Sequence, residues 1–140
     1  GLPVAIGAKI ACPGEQVVCL SGDGSLIMNI QELATAVNED IPVKVFLMNN
    51  GFMGMVRQWQ ELFWSENYSG VDNGPSPDWV KLSEAFGAQG LRCEDSADLE
   101  EMMQATLDHD GPALLDVRVS PRENCYPMIP AGSAARDMVG

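Results

Sequence analysis

Short apolar runs alternate with stretches of helical periodicity along this chain, and that alternation leaves few architectures open. Val17-Val18-Cys19-Leu20 is wholly apolar and stops at Ser21-Gly22-Asp23-Gly24-Ser25, as expected of a strand buried on both faces. Ile30, Leu33, Ala34 and Val37 then recur at i, i+3, i+4 and i+7, which predicts an amphipathic helix. Pro42 ends it, and Val43-Lys44-Val45-Phe46-Leu47-Met48 reads as a second strand that runs out at Asn49-Asn50. Strand, helix and strand make a βαβ unit, whose crossover is expected to be right-handed.

The flanking segments follow the same rule. Leu2, Ile6 and Ile10 share helical spacing over Gly1 to Ala11, with Pro13-Gly14 as the stop. Met55, Trp59 and Leu62 fall on one helical face, with Val56 and Phe63 beside it. Tyr68 to Pro77 reads as an ordered surface loop. Asp78 is placed to cap a helix carrying Trp79, Leu82 and Phe86, which Gly87 ends. Gln89 to Cys93 is a strand. Asp95 or Ser96 opens a helix with Leu99, Met102, Met103 and Leu107 inward, Ala113 to Val119 is the last strand, and Pro121 to Gly140 is irregular. The expected fold is α/β, a mostly parallel sheet with helices on both faces. At 140 residues and 46% apolar, residues 1–140 make one domain with one core. The chain opens on Gly1 rather than methionine, so either an upstream segment has been removed or a longer polypeptide is expected.

Charge narrows the partners. The net charge is −12, a field that repels nucleic-acid backbones and anionic lipid. No apolar run is long enough to span a membrane. An anionic cofactor would have to be held by a metal and local dipoles. Cys12, Cys19, Cys93 and Cys125 form no C-x-x-C pair, and His109 alone completes no zinc set; a reducing interior is the simpler expectation. His109 sits near the end of the last helix, where a cation complements the dipole. Arg57 and Gln58 are expected to be solvated or interface groups, and the Glu100-Glu101 pair an exposed face. No acid–base role is expected of Glu32.

The chemistry concentrates at two strand tips. Gly22-Asp23-Gly24-Ser25 lies where a strand gives way to a helix, and ligands of open α/β sheets bind at those carboxyl ends. Asp23 offers a carboxylate, the glycines permit close backbone approach, and the following N–H groups can face an anion. Asn50 comes to the same sheet edge 27 positions later. Mg²⁺ takes an octahedral oxygen set, often with only one or two carboxylates, so an Asp, an Asn and a turn carbonyl leave room for a diphosphate.

GDG followed at this interval by NN resembles the signature of thiamine-diphosphate enzymes. The resemblance implies that Asp23, Asn50 and the Phe52 carbonyl bind Mg²⁺. It further implies that Gly22, Asp23, Gly24 and Ser25, with Asn50, Gly51, Phe52, Met53, Gly54 and Met55, contact the cofactor. Within that family, Gly54-Met55-Val56-Arg57-Gln58-Trp59-Gln60 is similar to the GMVxQWQ segment of acetohydroxyacid (acetolactate) synthases. Gly1-Leu2-Pro3-Val4-Ala5-Ile6-Gly7-Ala8 resembles their GLPAAIGA helix, and Pro127-Met128-Ile129-Pro130-Ala131-Gly132 their closing PMIPAG-type segment. In those enzymes the counterpart of Trp59 shapes the pocket for the second 2-ketoacid and contributes to a herbicide site, and Met55 would lie beside it.

The resemblance implies decarboxylation of pyruvate and condensation with a second pyruvate or with 2-ketobutyrate, in branched-chain amino acid synthesis. The chain would be the C-terminal cofactor-binding portion of a longer enzyme. The glutamate that bonds the aminopyrimidine ring and the domain that binds FAD would lie outside it, and no catalytic residue within it. By itself it is expected to bind Mg-thiamine diphosphate weakly and not to turn over. A homodimer or higher oligomer with the active site at the subunit interface is implied, along with a possible regulatory small subunit, in bacterial cytoplasm or plastid stroma. The rivals are a pyruvate oxidase or glyoxylate carboligase type of the same family, and a non-catalytic module with the same fold. A Rossmann nucleotide binder fails for lack of G-x-G-x-x-G.

Overall fold

The computed structural model describes residues 1–140. Four strands, β1 (Val18–Gly22), β2 (Lys44–Asn49), β3 (Gln89–Cys93) and β4 (Ala113–Arg118), form one sheet in the order β1-β2-β4-β3. Every pairing is parallel, so all four carboxyl ends meet one edge. Six helices surround the sheet: α1 (Leu2–Ala11), α2 (Asp23–Leu26), α3 (Glu32–Asn38), α4 (Gly54–Phe63), α5 (Trp79–Phe86) and α6 (Leu99–Asp108). None is long and apolar enough to cross a membrane.

Alternation along the inner strands splits the expected single core into two, one on each face of the sheet. Val45 and Leu47 of β2 and Leu114 of β4 join Leu2 and Ile6 of α1, Leu33 and Ala36 of α3 and Trp79 of α5. On the opposite face Phe46, Leu115, Val117 and Cys93 pack against Leu99, Met102, Met103 and Leu107 of α6. Helices therefore cover both faces, as expected. Asp78 caps α5 by accepting from the Lys81 N–H, and Gly87 ends it in the left-handed conformation at φ 89°.

Four further expectations are corrected. β1 is an edge strand, and Leu20 is 70% exposed; its apolar run marks an uncovered face, not burial on both sides. Ile10 likewise points outward from α1. The helix after Gly24 is broken into α2, a 3-10 turn at Ile27–Asn29 and α3, and Ala36, not Ala34, is its fully buried alanine. At the end of α6 the cation comes from Lys44 rather than the His109 side chain. Lys44 Nζ donates to the His109 carbonyl and, at 2.6 Å, to that of Gly111, and burial pushes its pKa down.

Candidate cofactor and metal site

The β1–β2 register sets Gly22 against Met48, so Asp23 leaves the sheet beside Asn49 and Asn50. Asp23 opens α2 and is 3% exposed. Gly51 turns the chain at φ 73°, a conformation costly for side-chain-bearing residues, and the Phe52 N–H donates to Asn50 Oδ1 at 3.0 Å. The polar loop before α5 returns to pair with this turn: Met53 N–H donates to Val71 O at 2.7 Å and Asn73 N–H to Gly51 O at 3.0 Å, with Phe52 opposite Asp72 in an antiparallel bridge.

A cavity of about 320 Å³ opens between the two strand tips. Asp23, Asn50 and Phe52 all line it, as do Gly22, Gly24, Ser25, Met53, Gly54 and Met55. Of the ten residues expected at the cofactor, Gly51 alone stays outside the lining; it shapes the turn instead. A Cβ on Gly24 would come within 2.6 Å of Met53 Sδ and 3.3 Å of Asn73 Nδ2, so Gly24 is what lets those side chains close over the site.

The donor set suits a hard cation. Asp23 is a buried carboxylate with no cationic side chain within salt-bridge distance, a costly arrangement unless a positive charge reaches it. Asn50 adds an amide oxygen and Phe52 a carbonyl. No group of three or more His, Cys, Asp or Glu residues converges anywhere to hold an ion, so a zinc-type centre is not built here. Oxygen donors with a single carboxylate fit Mg²⁺ that completes its shell from a diphosphate and water.

Two supporting networks were not legible in the sequence. Asn49 Nδ2 donates to the fully buried Asp116 at 2.8 Å, and Arg92 Nε donates to the other Asp116 oxygen at 3.0 Å. Asp116 thereby ties the tips of β2 and β3 to β4, and its hydrogen bond pushes the Arg92 pKa up. The second network corrects the expectation for Arg57 and Gln58. Both are buried, at 6% and 1% exposure. Arg57 donates to Glu61, Asn124 Oδ1 and the Arg122 carbonyl, while Gln58 exchanges hydrogen bonds with the Cys125 main chain at 2.9 and 2.8 Å.

The apolar face of α4 is correspondingly turned outward. Met55, Val56, Leu62 and Phe63 are exposed, Trp59 is half-buried, and none of them joins either core. Trp59 lies against Phe63 and Trp64, at ring separations of 5.4 and 6.4 Å. With Met55, Val56, Gln60, Trp64 and Asn67 it lines a second recess of about 560 Å³. Met55 and Val56 line both spaces, which makes the recess and the cavity between the strand tips neighbours.

A parallel sheet with an acid and an amide at adjacent strand tips is the architecture of a known class, and residues 1–117 match the thiamine pyrophosphate enzyme C-terminal TPP-binding domain; the chain belongs to that family. Its relatives narrow the likeness. It is 47% identical over its full length to the acetolactate synthase large subunit of Parasynechococcus marenigrum (strain WH8102), covering 23% of that protein. It is 42% identical over 99% of its length to the acetolactate synthase isozyme 2 large subunit of Escherichia coli (strain K12), covering 25%. The chain thus spans about a quarter of the length of these curated relatives. Among solved structures, a thiamine diphosphate-dependent 4-hydroxybenzoylformate decarboxylase from Rhodococcus jostii RHA1 superposes with a TM-score of 0.79 at 35% identity, over 86% of this chain and 23% of the other.

Proposed function

We propose that this chain is the part of an acetolactate synthase large subunit that holds the Mg-diphosphate end of thiamine diphosphate. The observation that carries the reading is that Asp23, Asn50 and Phe52 line one cavity at the carboxyl edge of β1 and β2. Asp23 and Asn50 contribute side-chain oxygens to the ion and Phe52 its carbonyl. Gly24 and Ser25 border the diphosphate, and Met53 and Met55 border the rest of the cofactor. When bound, thiamine supplies the carbanion sink that lets a 2-ketoacid lose CO₂, while the protein supplies positioning and electrostatics.

The recess at Trp59 and Met55 is assigned to the second 2-ketoacid, pyruvate or 2-ketobutyrate. Its indole and thioether surfaces favour an ethyl over a methyl group by burying one more methylene, worth about 1–3 kcal/mol of discrimination. The whole enzyme is proposed to carry FAD in another domain, to work as a homodimer or higher oligomer with a regulatory small subunit, and to reside in bacterial cytoplasm or plastid stroma. The same fold in a 4-hydroxybenzoylformate decarboxylase makes a simple decarboxylase the reading to beat.

Supplying the intact protein with pyruvate and 2-ketobutyrate separates the two. Release of 2-aceto-2-hydroxybutyrate is expected; CO₂ with only aldehyde product overturns the synthase assignment. Titration with Mg²⁺ and thiamine diphosphate, with Asp23→Ala as the control, tests the site itself: the variant is expected to lose metal-dependent cofactor binding.

A further inference from the structure

Asn73 touches both halves of the split motif. Its side-chain Nδ2 donates to Asp23 Oδ2 at 2.9 Å, and its main-chain N–H donates to the Gly51 carbonyl at 3.0 Å, between Asn50 and Phe52. We propose that Asn73 is a positioning residue for the divalent ion, fixing one oxygen of Asp23 so that the other faces the cavity. The inference rests on the reading of Asp23, Asn50 and Phe52 as the metal site.

Three observations carry it. The Asp23 carboxylate accepts one side-chain hydrogen bond, from Asn73, and its remaining oxygen has no protein partner, although Asp23 is buried and lines the cavity. An ionised carboxylate only accepts, so the Asn73 amide must turn its nitrogen toward it. The donor is also neutral. Lysine or arginine in this place would cancel the charge that attracts the metal, whereas an amide orients the carboxylate and leaves that charge for the ion. Finally, the approach is built for. Gly24 keeps this corner open, since a Cβ there would clash with Met53 Sδ at 2.6 Å and press on Asn73 Nδ2 at 3.3 Å, and Asp72 secures the turn that follows by accepting from the Gly74 N–H at 2.7 Å.

The arrangement makes the loop before α5 part of the metal site. Ion binding and loop order are coupled through a residue that itself never touches the ion.

Mn²⁺ serves as the probe, titrated into the intact protein at fixed thiamine diphosphate while electron paramagnetic resonance counts the free ion. Asn73→Ala and the near-isosteric Asn73→Leu are each expected to weaken Mn²⁺ binding about 10–100-fold, the range for lost outer-shell partners. Saturating metal is expected to restore full cofactor binding, and the melting temperature of the metal-free protein to fall, since Asp23 loses its one side-chain hydrogen bond. Wild-type Mn²⁺ affinity in both variants overturns the proposal. So does weakened cofactor binding that saturating Mn²⁺ fails to restore in both, which would mean that Asn73 only ties down a loop. Asp23→Ala separates the layers. If it abolishes Mn²⁺ binding while the Asn73 variants bind normally, only the role of Asn73 falls; if it binds Mn²⁺ normally, the metal site falls with it.

Discussion

Asp78 occupies two positions at once, the N-cap of α5 and the far end of the Asp116–Arg92 chain. Burial opposes its ionisation, but hydrogen bonds from Lys81 and Arg92 outweigh that and hold its carboxyl below the usual carboxylate range. A depressed folded-state pKa means that the stabilisation is complete above the unfolded value near 4 and is lost as pH falls through the folded value. Asn caps a helix about as well as Asp, so Asp78→Asn removes the charge and keeps the cap. The variant is expected to lose stability at neutral pH and to show a shallower decline between pH 5 and pH 2, read from urea midpoints across that range. An unchanged acid profile would deny the ion pair any role. Cap and stop residues such as Asp78 and Gly87 were legible because their partners lie within four residues. Asp116 was not, because the groups that satisfy it sit on two other strands.

At the scale of elements, α4 and the C-terminal tail behave as one piece. Gln58 closes a two-way hydrogen-bonded pair with the Cys125 main chain, and Arg57 and Asn124 share Glu61. These contacts bridge 63 to 67 positions, beyond the reach of any local periodicity. A pattern rule sends polar side chains to solvent and apolar ones inward; here the helix does the reverse, because its apolar side lines an open recess and its polar side anchors a strap of main chain. Gln58→Leu is expected to free the tail, raising amide hydrogen exchange over residues 122–128 by about tenfold or more for a loss near 1.4 kcal/mol, with the sheet unaffected. Exchange there at the wild-type rate would mean that the tail is held by other contacts. The strands fared better in the sequence: β2 and β4 came out within one residue of their ends, since the middle strands of a parallel sheet are largely apolar, and β3 was bracketed by the Gly87 stop and the Asp95 cap. The error in β1 has the same root. An apolar run reports that a surface is covered without saying whether this chain covers it.

For the whole molecule that distinction is quantitative. Val18 and Leu20 on β1, Val4 on α1, Ile27 and Met28 after α2, and the outer face of α4 are all exposed. Monomeric proteins rarely leave contiguous apolar patches beyond a few hundred Å². Prepared alone, these 140 residues are expected to bind the dye ANS strongly and to associate as concentration rises, despite the net charge of −12. Leu20→Lys is expected to reduce both. A monodisperse, dye-silent chain would show that the surfaces are too scattered to matter.

The strand order also sets the two tips that border the candidate site on unequal footings. β1 hangs from a single neighbour while β2 is gripped from both sides, yet one tip presents Asp23 and the other Asn50. An ion shared between them would stitch the sheet's weakest seam to its spine. Emptying the site would then do more than silence a reaction: it would unclasp the outermost plank, leaving the vacant protein easiest to open where its cofactor enters.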